Sequence, residues 1–111
     1  MEIIDCHVHL SKFRENQIEE ILNLMEEYGI SKAIVFPGTE IEPDNYWMSK
    51  IISPYRDRFL PFAWINPIIN PERALYDLCR LVEEYGFMGM KLHPLFHSFY
   101  PNRPYLAPLV E

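Results

Sequence analysis

Apolar positions along the 111-residue chain follow two periods in turn, a strand period and a helix period. Ile3–Val8 is a short β-prone run. From Glu15 to Tyr28 the apolar residues Ile18, Ile21, Leu22, Met25 and Tyr28 fall at helical spacing, and Gly29 supplies a stop. Lys32–Phe36 is an unalternating apolar strand closed by Pro37-Gly38, a continuity that suits a parallel strand covered on both faces. Glu42–Ser53 predicts a second helix, with Pro43 in its first turn, Tyr46, Trp47, Ile51 and Ile52 facing inward, and Pro54 ending it. Leu60–Ile65 reads as a third strand, closed by Asn66-Pro67. Asn70-Pro71-Glu72 then has the form of an N-cap followed by proline in the first turn. The stripe Leu75, Leu78, Cys79, Val82 and Tyr85 runs to a stop at Gly86. Met88–Leu92 is a fourth strand closed by His93-Pro94, and Tyr105–Glu111 has the character of the opening turns of a fourth helix.

The strand centres near Ile4, Ile34, Phe62 and Met90 are spaced by 30, 28 and 28 residues, a structural period without sequence repetition. Strands alternating with helices at that interval predict an α/β fold with a parallel sheet, either a barrel or a doubly wound sheet. No glycine-rich phosphate loop follows the first strand, where a dinucleotide-binding fold places one, so the barrel is preferred. An eight-stranded (β/α)8 barrel takes roughly 250 residues. Residues 1–111 therefore predict one domain of about four βα units, half of a TIM-like (β/α)8 barrel.

Composition narrows the partners. Hydrophobic residues make up 49% and aromatics 14%, enough for a packed core. A net charge of −6 with no Lys/Arg cluster argues against nucleic acid and anionic membranes and fits a small-molecule substrate. The N-terminal run has no basic segment before an apolar one, as a signal peptide would, and nothing approaches the roughly 20 apolar residues of a membrane helix. Cys6 and Cys79 sit among apolar residues and are expected as buried, reduced thiols in a cytoplasmic protein.

Candidate chemistry concentrates at two strand ends. Asp5, His7 and His9 alternate with Cys6 and Val8, and residues two apart in a strand share a face. On the inner face of a barrel the two imidazoles would lie at the C-terminal mouth, where barrel enzymes hold their sites. Two neutral imidazoles on one face suit one divalent cation, and Asp5 is expected to orient one of them from behind. Three ionisable groups on one face of an apolar strand are costly to bury without such a partner. Lys91 and His93 are likewise two apart on the fourth strand and are candidates for a substrate or additional metal contact. His97, among Phe96, Phe99 and Tyr100, is expected at the surface or on a lid. Trp64 and Asn66 end the third strand where a pocket would be lined, and Trp64 suits the core equally well.

The run IIDCHVHL resembles the Asp-x-His-x-His signature that opens the amidohydrolase-related family of the metal-dependent hydrolase superfamily. KAIVFPG, RFLPFAWINP and GFMGMKLHPLFHSFYP, at the second, third and fourth strands, are similar to the corresponding family segments, so the resemblance spans the chain. It implies a (β/α)8 barrel with one or two divalent metals, often zinc, and His7 and His9 as ligands. The implied reactions are hydrolysis of C–N or C–O bonds by water activated at the metal or, in one branch, nonoxidative decarboxylation of small carboxylic acids. A lysine placed like Lys91 is carbamylated in some related enzymes to bridge two metals. Family members carry further ligand histidines on the fifth and sixth strands and a catalytic aspartate on the eighth. None of these has a counterpart within residues 1–111, which leaves the catalytic residue unassigned.

Three readings follow. The chain is the first half of such an enzyme, its other half supplied by a missing segment or another chain. Alternatively, two copies pair about a two-fold axis, which closes eight strands and brings four imidazoles together. The third reading is a non-catalytic metal-binding half-barrel that self-associates. Zinc leads the candidate metals, with iron, manganese and nickel also suited to imidazole.

Overall fold

The computed structural model describes residues 1–111. Its strands are β1 (Ile4–Leu10), β2 (Lys32–Pro37), β3 (Phe59–Trp64) and β4 (Gly89–Lys91). The helices are α1 (Gln17–Tyr28), α2 (Asn45–Ile52), α3 (Pro71–Tyr85), α4 (Pro94–His97) and α5 (Ala107–Val110), with short 3-10 turns at Ser53–Tyr55 and Pro104–Leu106. All three strand pairings are parallel, and the sheet order is β1-β2-β3-β4. Each strand lies beside its predecessor and the order never reverses, as in a barrel built unit by unit. A doubly wound sheet would double back. The fold is thus an α/β half-barrel arrangement, with β1 and β4 each hydrogen-bonded to a single neighbour.

Cap chemistry sets the helix limits. Asn70 accepts the Arg73 N–H at 2.9 Å with Pro71 following, and Gly29 and Gly86 end α1 and α3 at φ 67 and 68°. The second helix starts later than expected. Asp44 is its N-cap, accepting the Trp47 N–H at 2.9 Å, so Pro43 lies outside the helix rather than in its first turn. The α4 turn, absent from the sequence-based reading, is capped by His93. Arg56 holds the end of α3 by donating to the carbonyls of Tyr85 (2.9 Å) and Gly86 (2.7 Å).

The core lies between the sheet and the helices. Ala33 and Val35 of β2 and Phe59 and Ala63 of β3 are fully buried against Met25, Met48, Ile52, Ala74 and Leu81. The intervening Ile34, Leu60 and Phe62 are only half-buried, so β2 and β3 are covered on one face, whereas the apolar continuity of Lys32–Phe36 suggested cover on both faces of β2. No helix is long and apolar enough to cross a membrane. Cys6 and Cys79 are free, as expected, but both are exposed rather than buried.

On β4, a Cβ at Gly89 would come within 2.5–2.8 Å of the Phe62 ring, which lies across the strand from its paired position. Gly89→Ala is expected to cost about 1–3 kcal/mol by overpacking. Chemical denaturation should show this loss, and Phe62→Leu in the same chain should restore part of it.

Tyr46 reports on the α2–α3 contact. Burial, and then its hydrogen bond to Asp77 (2.9 Å), push its phenol up to about 12. The folded state holds that proton more tightly than the unfolded chain, so the associated stability is complete below pH about 10 and is lost as pH rises towards 12. Urea melts between pH 9 and 12 should show a shallower alkaline loss for Tyr46→Phe.

Candidate metal centre

The two imidazoles of β1 are brought to one point by the pairing of that strand with β2. His9 lies opposite Phe36 and Leu10 opposite Pro37, which sets the Pro37 carbonyl against the His9 ring. A carbonyl can only accept, so the 2.9 Å contact is a hydrogen bond from the His9 Nδ1–H. In neutral His9 the lone pair therefore resides on Nε2, 3.0 Å from Nε2 of His7.

Lys91, reaching across from β4, places Nζ 3.1 Å from His7 Nε2 and 3.2 Å from His9 Nε2. The triangle limits the tautomer of His7. With its proton on Nε2, that ring would present an N–H to the Lys91 ammonium, donor against donor. With its proton on Nδ1, where the exposed ring meets water, both Nε2 lone pairs face a common centre. Two lone pairs 3.0 Å apart repel unless something positive lies between them. A cation held tetrahedrally at about 2.0–2.1 Å sets two ligand nitrogens roughly 3.3 Å apart, close to the separation found here. The imidazole pair fits a divalent cation on geometry and on donor chemistry.

Lys91 is supported by aromatic faces, 4.6 Å from the Phe36 ring centroid and 4.7 Å from that of Trp64. Burial holds its ammonium below the ordinary lysine value. Burial likewise lowers His9, opposed by the Pro37 hydrogen bond and reinforced by the charges of Lys91, His7 and His93. The His9 shift favours the neutral imidazole, the form whose Nε2 can act as a ligand.

The other candidates fall into place around this cluster. Asp5 meets neither imidazole; its Oδ1 accepts the backbone N–H of His7 at 3.0 Å. The cause is a register shift between Asp5 and Val8, where β1 uses one more residue than β2 and interrupts strict alternation. A bulge leaves an N–H without a ladder partner, and the Asp5 carboxylate takes it. Pro37, not Asp5, orients His9. His93 Nδ1 accepts the Phe96 N–H at 3.2 Å, which leaves Nε2–H as its free donor, and its ring lies 6.1 Å from that of Trp64. His97 is not at the surface; it is only 3% exposed and reaches the Glu40 carbonyl with Nε2 at 3.3 Å. Asn66 donates to the Ile41 carbonyl at 2.8 Å and ties down the loop after β2.

Trp64 is 1% exposed and serves both alternatives, core residue and wall of the cluster, with its ring 5.2 Å from that of His9. Its backbone is clamped by Asn45, whose amide donates to the Trp64 carbonyl at 3.0 Å and accepts its N–H at 2.9 Å. Asn45 was not expected at the site, because a polar residue in a first helical turn gives no sign of a partner 19 positions away. A cleft of about 520 Å³ opens beside the cluster, lined in part by Asp44, Asn45, Trp64, Asn66, Arg73 and Asp77. Most of its charges are paired, Lys12 with Asp44 and Arg73 with Asp77, and it gathers no imidazole, so the imidazole–lysine cluster is the stronger candidate for chemistry. No three His, Cys, Asp or Glu side chains come together around one point.

A parallel α/β sheet wound in one direction, with ionisable side chains gathered at its strand ends, places the chain in the class of barrel-type α/β domains. The amidohydrolase family model matches residues 4–111, and the chain belongs to the amidohydrolase family. Among solved structures it resembles 2,6-dihydroxybenzoate decarboxylase from Rhizobium, and a 2,6-dihydroxybenzoate decarboxylase complexed with 2,6-dihydroxybenzoate. In each case identity is 22% and the TM-score 0.63, over 81% of this chain and 38% of the other. That likeness is one of fold, and this chain spans 38% of the length of each of those proteins. No curated protein matches the chain.

Asn45→Ala would leave the buried N–H and carbonyl of Trp64 without partners, at an expected cost of about 1–3 kcal/mol. Thermal or chemical melts measure that loss, and a red-shifted Trp64 emission in the folded variant should accompany it.

Proposed function

We propose that this chain forms part of a metal-dependent hydrolase acting on a C–N or C–O bond of a small molecule, with His7 and His9 as metal ligands and zinc as the leading cation. The carrying observation is the convergence of two imidazole Nε2 atoms at 3.0 Å, one with its tautomer set by the Pro37 carbonyl. The chemistry a divalent cation supplies at such a place is Lewis acidity, which lowers the pKa of water and polarises a substrate oxygen. The chain's own residues hold and orient. Pro37 keeps the His9 proton on Nδ1, Trp64 and Phe36 wall the site, and Lys91 and His93 present N–H donors from the β4 side. No residue of the chain is assigned as the catalytic base.

Nonoxidative decarboxylation of a small carboxylic acid is the second reading. The observation that favours it is the cluster of donors without an acidic neighbour: the Lys91 ammonium and the free Nε2–H of His93 suit a substrate carboxylate. Under either reading the partner is a small molecule. The strands that complete β1 and β4 are proposed to come from a further segment, another chain or a second copy. Two free, exposed thiols suit a reducing, cytoplasmic setting.

The test is metal binding. Calorimetric titration with Zn²⁺ is expected to give one ion per site, and His7→Ala with His9→Ala should weaken binding at least a hundredfold with an unchanged circular dichroism spectrum. Equal affinity in the double variant would refute the ligand assignment.

A further inference from the structure

Lys91 is the one cation within reach of both imidazole lone pairs, and the geometry gives it a role beyond lining the site. Its Nζ lies almost equidistant from His7 Nε2 (3.1 Å) and His9 Nε2 (3.2 Å). A divalent cation bound to the same two atoms would occupy the same side of the pair, roughly 2 Å from each nitrogen. The two positive centres cannot both be accommodated: they compete for the same lone pairs and repel at close range.

We propose that the Lys91 ammonium is a built-in stand-in for the metal, holding His7 and His9 converged when no metal is bound and leaving that position when a divalent cation enters. The inference rests on the reading of His7 and His9 as a ligand pair. Three observations beyond the distances support it. Lys91 makes no ion pair with any acidic side chain, so its charge is balanced by lone pairs and ring faces alone. Phe36 and Trp64 steer Nζ from their ring faces, at 4.6 and 4.7 Å, towards the imidazoles. Finally, His7 and His9 sit on β1 and Lys91 on β4, the two edges of the sheet, so the three nitrogens meet only because the sheet curves. The ammonium thus links the two edge strands at their C-terminal ends.

The consequence is a penalty on metal entry set by charge at position 91. Lys91→Met keeps an unbranched stem of nearly the same reach and removes the ammonium. Zn²⁺ affinity, measured calorimetrically with a chelator-buffered titrant, is expected to rise at least tenfold in Lys91→Met and in Lys91→Gln. Lys91→Arg retains the charge and should stay within a few-fold of the parent. Circular dichroism and melting temperature identify any variant that fails to fold, and the Gln and Arg variants keep the comparison alive if Met does so. Weaker binding in the folded Met and Gln variants would make Lys91 a ligand, and unchanged binding would make it a bystander; either overturns the proposal. If the parent binds Zn²⁺ and the His7/His9 double variant binds equally well, the ligand reading itself fails, and the stand-in role falls with it. The latter result is separable from the two outcomes at Lys91, which leave His7 and His9 dependence intact.

Discussion

The hydrogen bond from His9 Nδ1 to the Pro37 carbonyl organises the site, and it exists because β1 and β2 pair in parallel at one register. That bond settles where the His9 proton resides and therefore which nitrogen faces the cluster. The tautomer of His7 and the position of Lys91 follow from that choice, since the remaining lone pairs must converge on positive charge. A slip of one residue between the strands would turn the imidazoles to the helix-covered face and remove the carbonyl from reach. Proline is well suited to this position: it donates nothing to the ladder, but its carbonyl remains a full acceptor.

Around that bond the fold supplies rigidity from several elements at once. Asn45, at the start of α2, closes both backbone groups of Trp64 and so fixes the aromatic wall of the site to a helix. Gln17 does similar work at the end of β1, where its amide accepts the Ser11 N–H at 2.8 Å and donates to the Ser11 carbonyl at 2.6 Å. Asn66 and His97 tie the loop after β2 through the carbonyls of Ile41 and Glu40. Each is a polar side chain satisfying backbone groups that loops leave unpaired, which is how irregular segments hold a shape at a strand's mouth.

Much of the architecture was legible along the chain. Glycine stops, the Asn70-Pro71 start of α3 and the near-constant strand interval are local signals, and they predicted four βα units in the right order. The His-x-His pair was legible because two residues apart on a strand is a short-range relation. Asp5 belonged to the same reasoning and behaved differently, because the bulge between Asp5 and Val8 is a property of how β1 meets β2. His97 sat among aromatic residues that suggested a surface loop, yet the α4 turn folds it inward to 3% exposure. Cys79 looked buried on a helical stripe, but the inner face of α3 is narrower than that stripe, and Val82 beside it is also exposed.

By itself the amino-acid sequence determined the α/β order, the extent of most elements, and the residue types able to hold a cation at the end of the first strand. These depend on backbone preferences and on neighbours within a few positions. Only the tertiary structure decided that Lys91, 84 positions from His7, would complete the triangle, that a proline carbonyl would orient His9, and that Asn45 would hold Trp64. Those contacts join different strands and helices, and their distances are set by sheet register and curvature, which no local pattern of residues encodes.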